Sequence, residues 1–213
     1  MTEKVRRQYR SPAREAAALE TRARVSAAAA ELFLAQGYAS TSVRAVAQRA
    51  KVAEKTVYLQ FENKGELLKA VVEAAIGGGD QPMPVSERDW FRQVLDEADP
   101  DQKLRLLARG SAAVHERTGR LFAMARGAAE VDQEAAAQWA MGKRGHARAM
   151  ASLAESFHQH EMIPAGRDPE WAKNVLYVLL GPETWQLVTG ELGHDDTAYE
   201  QWLETTLRAT FRP

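Results

Sequence analysis

Apolar residues along this chain recur three and four positions apart, and no stretch alternates apolar with polar residues in the manner of a strand. The pattern predicts an all-α protein. The first clear apolar face is Val25, Ala28, Ala29, Leu32 and Phe33, on a helix over 21–36 that Gly37 ends by taking a left-handed conformation cheaply. Two short helices come next, over 42–50 (Val43, Val46, Ala47 and Ala50 inward) and 53–60 (Val57 inward, with Phe61 beyond it). A helix over 64–76 turns Leu67, Leu68, Val71 and Val72 inward. Further helices are predicted over 87–98, 101–117, 121–130, 133–160, 169–192 and 197–211. Gly119 separates two of them and Pro182 kinks another.

These elements divide the chain into an arm (1–20), a head (21–76), a Gly/Pro linker (77–86) and a helical body (87–213). The 213 residues are 45% hydrophobic and 27% charged, enough for a well-formed core. The absence of cysteine excludes disulfides, thiolate metal sites and thiol catalysis, and fits a cytoplasmic protein. No apolar run approaches the roughly 18–20 residues of a membrane span. The basic start MTEKVRRQYRSP lacks the apolar segment of a secretory signal, so neither export nor a membrane is expected.

Charge changes the picture. Residues 1–63 carry 11 Lys and Arg against 6 Asp and Glu; residues 64–213 carry 17 against 23. A basic head on an acidic body suits a polyanionic partner for the head alone. Arg6, Arg7 and Arg10 in the arm suit either a solubilising tail or a neighbouring minor groove.

Two short helices joined by about three residues cannot bury enough surface alone. Packed on helix 21–36 they make the three-helix unit of a helix-turn-helix reader, whose second helix enters the major groove. The outward residues carry fitting chemistry: Lys55, Thr56 and Tyr58 on the reading helix, Ser42 and Arg44 on the supporting one, and Lys64 at the start of the next. Thr41 or Ser42 supplies a hydroxyl cap. The expected partner is double-stranded DNA.

The stretch GYASTSVRAVAQRAKVAEKTVYLQFENKGELLKAVVE, Gly37 to Glu73, resembles the TetR family of bacterial helix-turn-helix transcriptional regulators. It has the Gly-aromatic pair, the Thr/Ser cap, the short turn, Thr-Val-Tyr, Phe61 and Asn-Lys before a helix. A weaker resemblance covers 88–211, through Leu-Gly-Pro-Glu-Thr-Trp at 180–185 and Tyr199-Glu200-Gln201-Trp202-Leu203. The resemblance implies that Lys55 and Thr56 approach bases or backbone and that Tyr58 and Lys64 bond phosphates. Thr41, Ser42 and Arg44 would seat the supporting helix, while Val46 and Phe61 are core. The chain departs from the family at Lys51, where the turn usually holds glycine, and at Ala53, where the reading helix usually has a Ser/Thr cap. Left-handed backbone at Lys51 would cost roughly 1 kcal/mol, with its charge reaching for phosphate in return.

For the body, the resemblance implies a homodimer formed by the last two helices. Trp171, Val175, Val178, Trp185, Trp202 and Leu203 are the candidate interface, with the chain's own core as the competing role. It also implies a sensor for a small, largely apolar effector, with candidate contacts Trp90, His115, Phe122, Arg126, Trp139 and Arg144; aromatics at helical spacing fit core packing equally. The expected function is a ligand-responsive repressor on a palindromic operator, with a helical adaptor as the rival. An enzyme is not expected. No His-Glu-x-x-His, phosphate loop or nucleophile elbow occurs, and no cofactor or metal is implied.

Overall fold

The computed structural model describes residues 12–77 and 83–212. Among them the chain is helical throughout: α1 (Pro12–Gln36), α2 (Val43–Arg49), α3 (Glu54–Gln60), α4 (Lys64–Gly77), α5 (Asp89–Asp96), α6 (Pro100–Ala129), α7 (Gln133–Gln159), α8 (Pro169–Leu179), α9 (Pro182–Gln186) and α10 (Asp196–Phe211). Local chemistry sets most of the starts. Asp99, Asp132, Asp168 and Asp195 each accept a backbone N–H three residues on, at 2.8–2.9 Å, and Pro100 and Pro169 stand at first helical positions where no N–H is needed.

Three boundaries differ from the sequence expectation. α1 begins at Pro12 instead of 21, so residues 12–20, expected in the arm, are its first turns. The arm's Arg6, Arg7 and Arg10, and residues 78–82 of the Gly/Pro linker, lie outside the described residues. Pro182 does not kink a continuous helix: α8 stops at Leu179, and after Gly181 the proline begins α9, which runs into a π-helical turn at Leu187–Glu191. Gly119 is no break at all. It lies inside α6, where a Cβ would penetrate the Trp185 ring; Gly110 makes the same room for Trp90.

Two apolar cores result. One fills the body with Phe91, Leu104, Leu107, Met150, Leu153, Phe157, Leu176, Tyr199, Leu203, Leu207 and Phe211. The other fills the head with Val25, Phe33, Val46, Val57, Phe61, Leu67 and Val71, and it includes Leu121, Ala125 and Ala128 of α6 and Ala135 of α7. At 1.5 Å per residue α6 is about 45 Å long, and it serves both cores. Lys103, fully buried in the body, donates to the Leu95 carbonyl at the end of α5 and to Ser156 Oγ, and burial lowers its pKa to about 8.

No described helix is long and apolar enough to cross a membrane.

The glycines give a paired test. Gly119→Ala sets a methyl into Trp185 and should destabilise the chain by about 1–3 kcal/mol in urea denaturation. Gly127→Ala, with open space around its Cβ direction, should be neutral or stabilising by up to about 1 kcal/mol.

Candidate nucleic-acid interface

The head is built from the inside out. Val25, Ala29 and Phe33 of α1 receive Val46 and Ala47 of α2, Val57 of α3 and Phe61. With Val57 inward, Lys55, Tyr58 and Leu59 project outward on one face of α3, Tyr58 52% and Leu59 75% exposed. Thr56 is half-buried beside them. Arg44 and Ser42 are exposed on the adjoining end of α2, where Ser42 Oγ accepts from Ala45 N at 3.1 Å.

Thr41 must be corrected. It is 1% exposed, and its hydroxyl donates to the Gly37 carbonyl at 2.8 Å and accepts from Gln36 Nε2 at 3.2 Å. It braces the turn and offers nothing to a partner. Lys51 has φ of 55°, the left-handed conformation the turn demands, and its side chain is exposed. Ala53 precedes α3 without a side-chain cap. Compensation comes from a residue sequence reading missed. Arg22 of α1 donates to the Gln60 carbonyl at the end of α3, with its guanidinium 4.2 Å above the Phe61 ring. A cation at a helix C-terminus is favourable both as a donor and against the helix dipole. Arg49, paired with Glu31, ties α2 to α1 in the same way.

Lys64 stands at the edge of the open face, half-buried, its ammonium 4.0 Å from the centre of the Tyr38 ring. Burial lowers its pKa, and the charge of Asp132 opposes that. This junction joins head to body. The Tyr38 hydroxyl is buried without a hydrogen bond, and burial together with Asp132 raises its pKa. A Cβ on Gly65 would lie 2.8 Å from the Glu134 carbonyl carbon, so the first turns of α4 and α7 touch through backbone. Gln138 Nε2 donates to Glu66 Oε1 at 3.0 Å across the same seam.

The expected sensor residues do not converge. Trp90 packs over Gly110 and meets Phe91 edge-on at 5.6 Å. His115 is buried, 3.1 Å from the Tyr199 hydroxyl, and burial holds its pKa near 4, so it is neutral. Phe122 and Trp139 pair edge-on at 6.3 Å, while Arg126 and Arg144 face solvent. The expected dimer residues divide. Leu203 is 0% exposed and belongs to the chain's own core, because Tyr199, Leu203 and Leu207 form the stripe of α10 turned inward. Trp171, Val175, Trp185 and Trp202 are half-buried against that core: Trp171 meets Phe211 at 5.7 Å, Trp202 stacks on Tyr199 at 6.0 Å, and Trp185 rests on Gly119. Val178 remains 62% exposed, and Leu187 is exposed as well.

Residues 25–71 match the family described as bacterial regulatory proteins, tetR family. The head thus matches the DNA-binding region of the TetR family. The match covers the head just described, from the core face of α1 to the middle of α4. Among curated relatives, the uncharacterized HTH-type transcriptional regulator YvkB of Bacillus subtilis is 28% identical over 75 residues. That match spans 35% of this chain and 40% of YvkB. Solved structures extend the likeness of fold to the body. NalD of Pseudomonas aeruginosa, the secondary repressor of the MexAB-OprM multidrug efflux pump, superposes with a TM-score of 0.65 at 22% identity, over 92% of this chain and 98% of NalD. FadR of Bacillus subtilis, in complex with stearoyl-CoA, gives 0.65 at 19%, over 86% and 96%. The whole chain thus has the architecture of a TetR-family transcriptional regulator, a helix-turn-helix head on a helical body.

The left-handed turn gives a local test. Lys51→Gly removes the side-chain strain and should raise stability by up to about 1 kcal/mol in chemical denaturation, since glycine adopts this conformation freely.

Proposed function

We propose that this chain is a cytoplasmic, ligand-responsive transcriptional regulator, a repressor that holds a palindromic operator as a homodimer and leaves it when a small effector binds. The observation that carries the reading is the exposed Lys55–Tyr58–Leu59 face of α3, presented by a head whose inner side is closed. Lys55 and Thr56 approach base edges and backbone, Ser42, Arg44 and Lys51 meet phosphates beside the groove, and the Tyr58 hydroxyl reaches another. Leu59 adds an apolar surface of the kind a thymine methyl accepts. Lys64 exchanges the Tyr38 ring for a phosphate. NalD is a repressor and FadR is described with stearoyl-CoA, and likeness to both supports regulation by an organic ligand.

One reading helix makes few base contacts, so two heads about 34 Å apart are needed to read successive major grooves. Val178 of α8, Leu187 of the π-helical turn and Leu192 beyond it are exposed apolar residues that a second copy would cover. The coupling lies in the shared core. Because α6 and α7 complete the head and α7 grips α4 at Gly65, a ligand that shifts α6 against α7 reorients the reader. It moves the equilibrium only by its difference in affinity for the two arrangements.

Two experiments test this. Duplexes selected from a random pool should be palindromic, with affinity falling steeply as salt rises, and Arg44→Ala should lower the log–log salt slope by about 1 per subunit. Flat salt dependence or failure to select a palindrome would remove the DNA reading. Separately, Val178→Asp with Leu187→Asp should convert the dimer to a monomer in sedimentation; an intact dimer moves the interface elsewhere.

A further inference from the structure

A band of polar side chains crosses the body. It takes His115 from α6, Lys143 and His146 from α7, Tyr177 from α8, Glu183 from α9 and Tyr199 from α10. His115 bonds the Tyr199 hydroxyl, and His146 Nε2 lies 3.2 Å from the Tyr177 carbonyl oxygen. Lys143 Nζ donates to Glu183 Oε1 at 2.8 Å, with the ammonium 4.7 Å from the centre of the Tyr177 ring. Outside this band, α7 and α8 leave an open cleft of about 390 Å³, lined by Lys143, Arg144, Ala147, Lys173, Asn174 and Tyr177.

The cleft carries three cations. Two are answered from within the chain, Lys143 by Glu183 and Lys173 by Glu170 at 2.5 Å. Arg144 is exposed and pairs with no carboxylate among the described residues. The remainder of the lining is the Ala147 methyl, the Tyr177 ring, Asn174 and the aliphatic stems of the lysines. Burial opposes ionisation of Glu183, yet the hydrogen bond and charge of Lys143 hold its pKa below the ordinary carboxylate value. A half-buried carboxylate is thus already seated on one of the three cations.

We propose that this cleft binds the acidic head of an organic carboxylate with an apolar body, and that Glu183 is the internal surrogate the head displaces from Lys143. The inference rests on the reading of the chain as a ligand-responsive regulator and names the class of its ligand. The apolar body lies along the Ala147 methyl and the Tyr177 ring. Lys143 Nζ is also 5.7 Å from the Trp139 ring, and Trp139 pairs with Phe122 and packs against the head core. Release of Glu183 frees the first turn of α9, two residues before Trp185, whose ring lies against α6 at Gly119. The ligand therefore acts on the two helices that complete the head.

The test holds the tail constant and varies the head. Decanoate, 1-decanol and decyltrimethylammonium are titrated into the full chain, with tryptophan fluorescence and melting temperature as readouts. Decanoate should bind at least tenfold more tightly than either of the others. Arg144→Ala with Lys173→Ala should weaken decanoate tenfold or more while leaving 1-decanol within twofold, and its melting temperature without ligand checks folding. Glu183→Gln should bind decanoate severalfold more tightly, because Lys143 loses its competing carboxylate. No binding of decanoate, equal binding of the cation, or an unchanged constant in the double variant would overturn the proposal. Duplex binding by the same ligand-free preparations separates the two readings. Its loss would defeat regulation by DNA binding, whereas its presence without head-group selectivity defeats the carboxylate site alone.

Discussion

The structure depends on one sharing of surface: the head has no complete core of its own. Two seven-residue helices and parts of α1 and α4 leave an apolar side open, and Leu121, Ala125, Ala128 and Ala135 close it. Small residues dominate that closure, so the helix backbones approach closely, and at Gly65 nothing larger than hydrogen fits against Glu134. Close-packed contacts of this kind do not deform gradually. Movement of the α6–α7 corner is therefore passed to α4, and through the common core to the outward face of α3.

The body uses the same α6 for a second core and places polar groups beside it. Burying His115 and His146 there is tolerable because both have hydrogen-bond partners, and burial keeps His115 neutral. The Lys143–Glu183 pair sits at the outer edge of this band, partly in water, where the desolvation cost of an ion pair is smaller than in a dry core. That location, beside helices serving both cores, connects the proposed carboxylate cleft to the reading head.

The head was legible residue by residue. The periodicity of Val25, Ala28, Ala29 and Phe33, the Gly37 stop, the Ser42 cap and the inward Val46 and Val57 all stand as expected, because each arises from contacts within a few turns of chain. Lys51 is left-handed as the family pattern requires. Leu59 was also readable, since it comes four residues after Lys55 on the face opposite Val57. The role of Arg22 and the ring on which Lys64 rests were not, because the carbonyl of Gln60 and the ring of Tyr38 reach them only after the helices pack.

In the body the division is sharper. Composition, helical period and capping aspartates determined that the chain is all-α and where most helices start, since those effects are local. Tertiary structure alone decided what its glycines and aromatics do. Gly119 reads as a stop until Trp185, sixty-six residues later, fills the space its missing side chain leaves. Leu203 and Val178 are alike as apolar residues on C-terminal helices, yet one is enclosed by α6 and the other faces outward. Apolarity dictates that a side chain be buried, but not whether its own chain or another molecule covers it; that depends on which surfaces the rest of the fold brings opposite it.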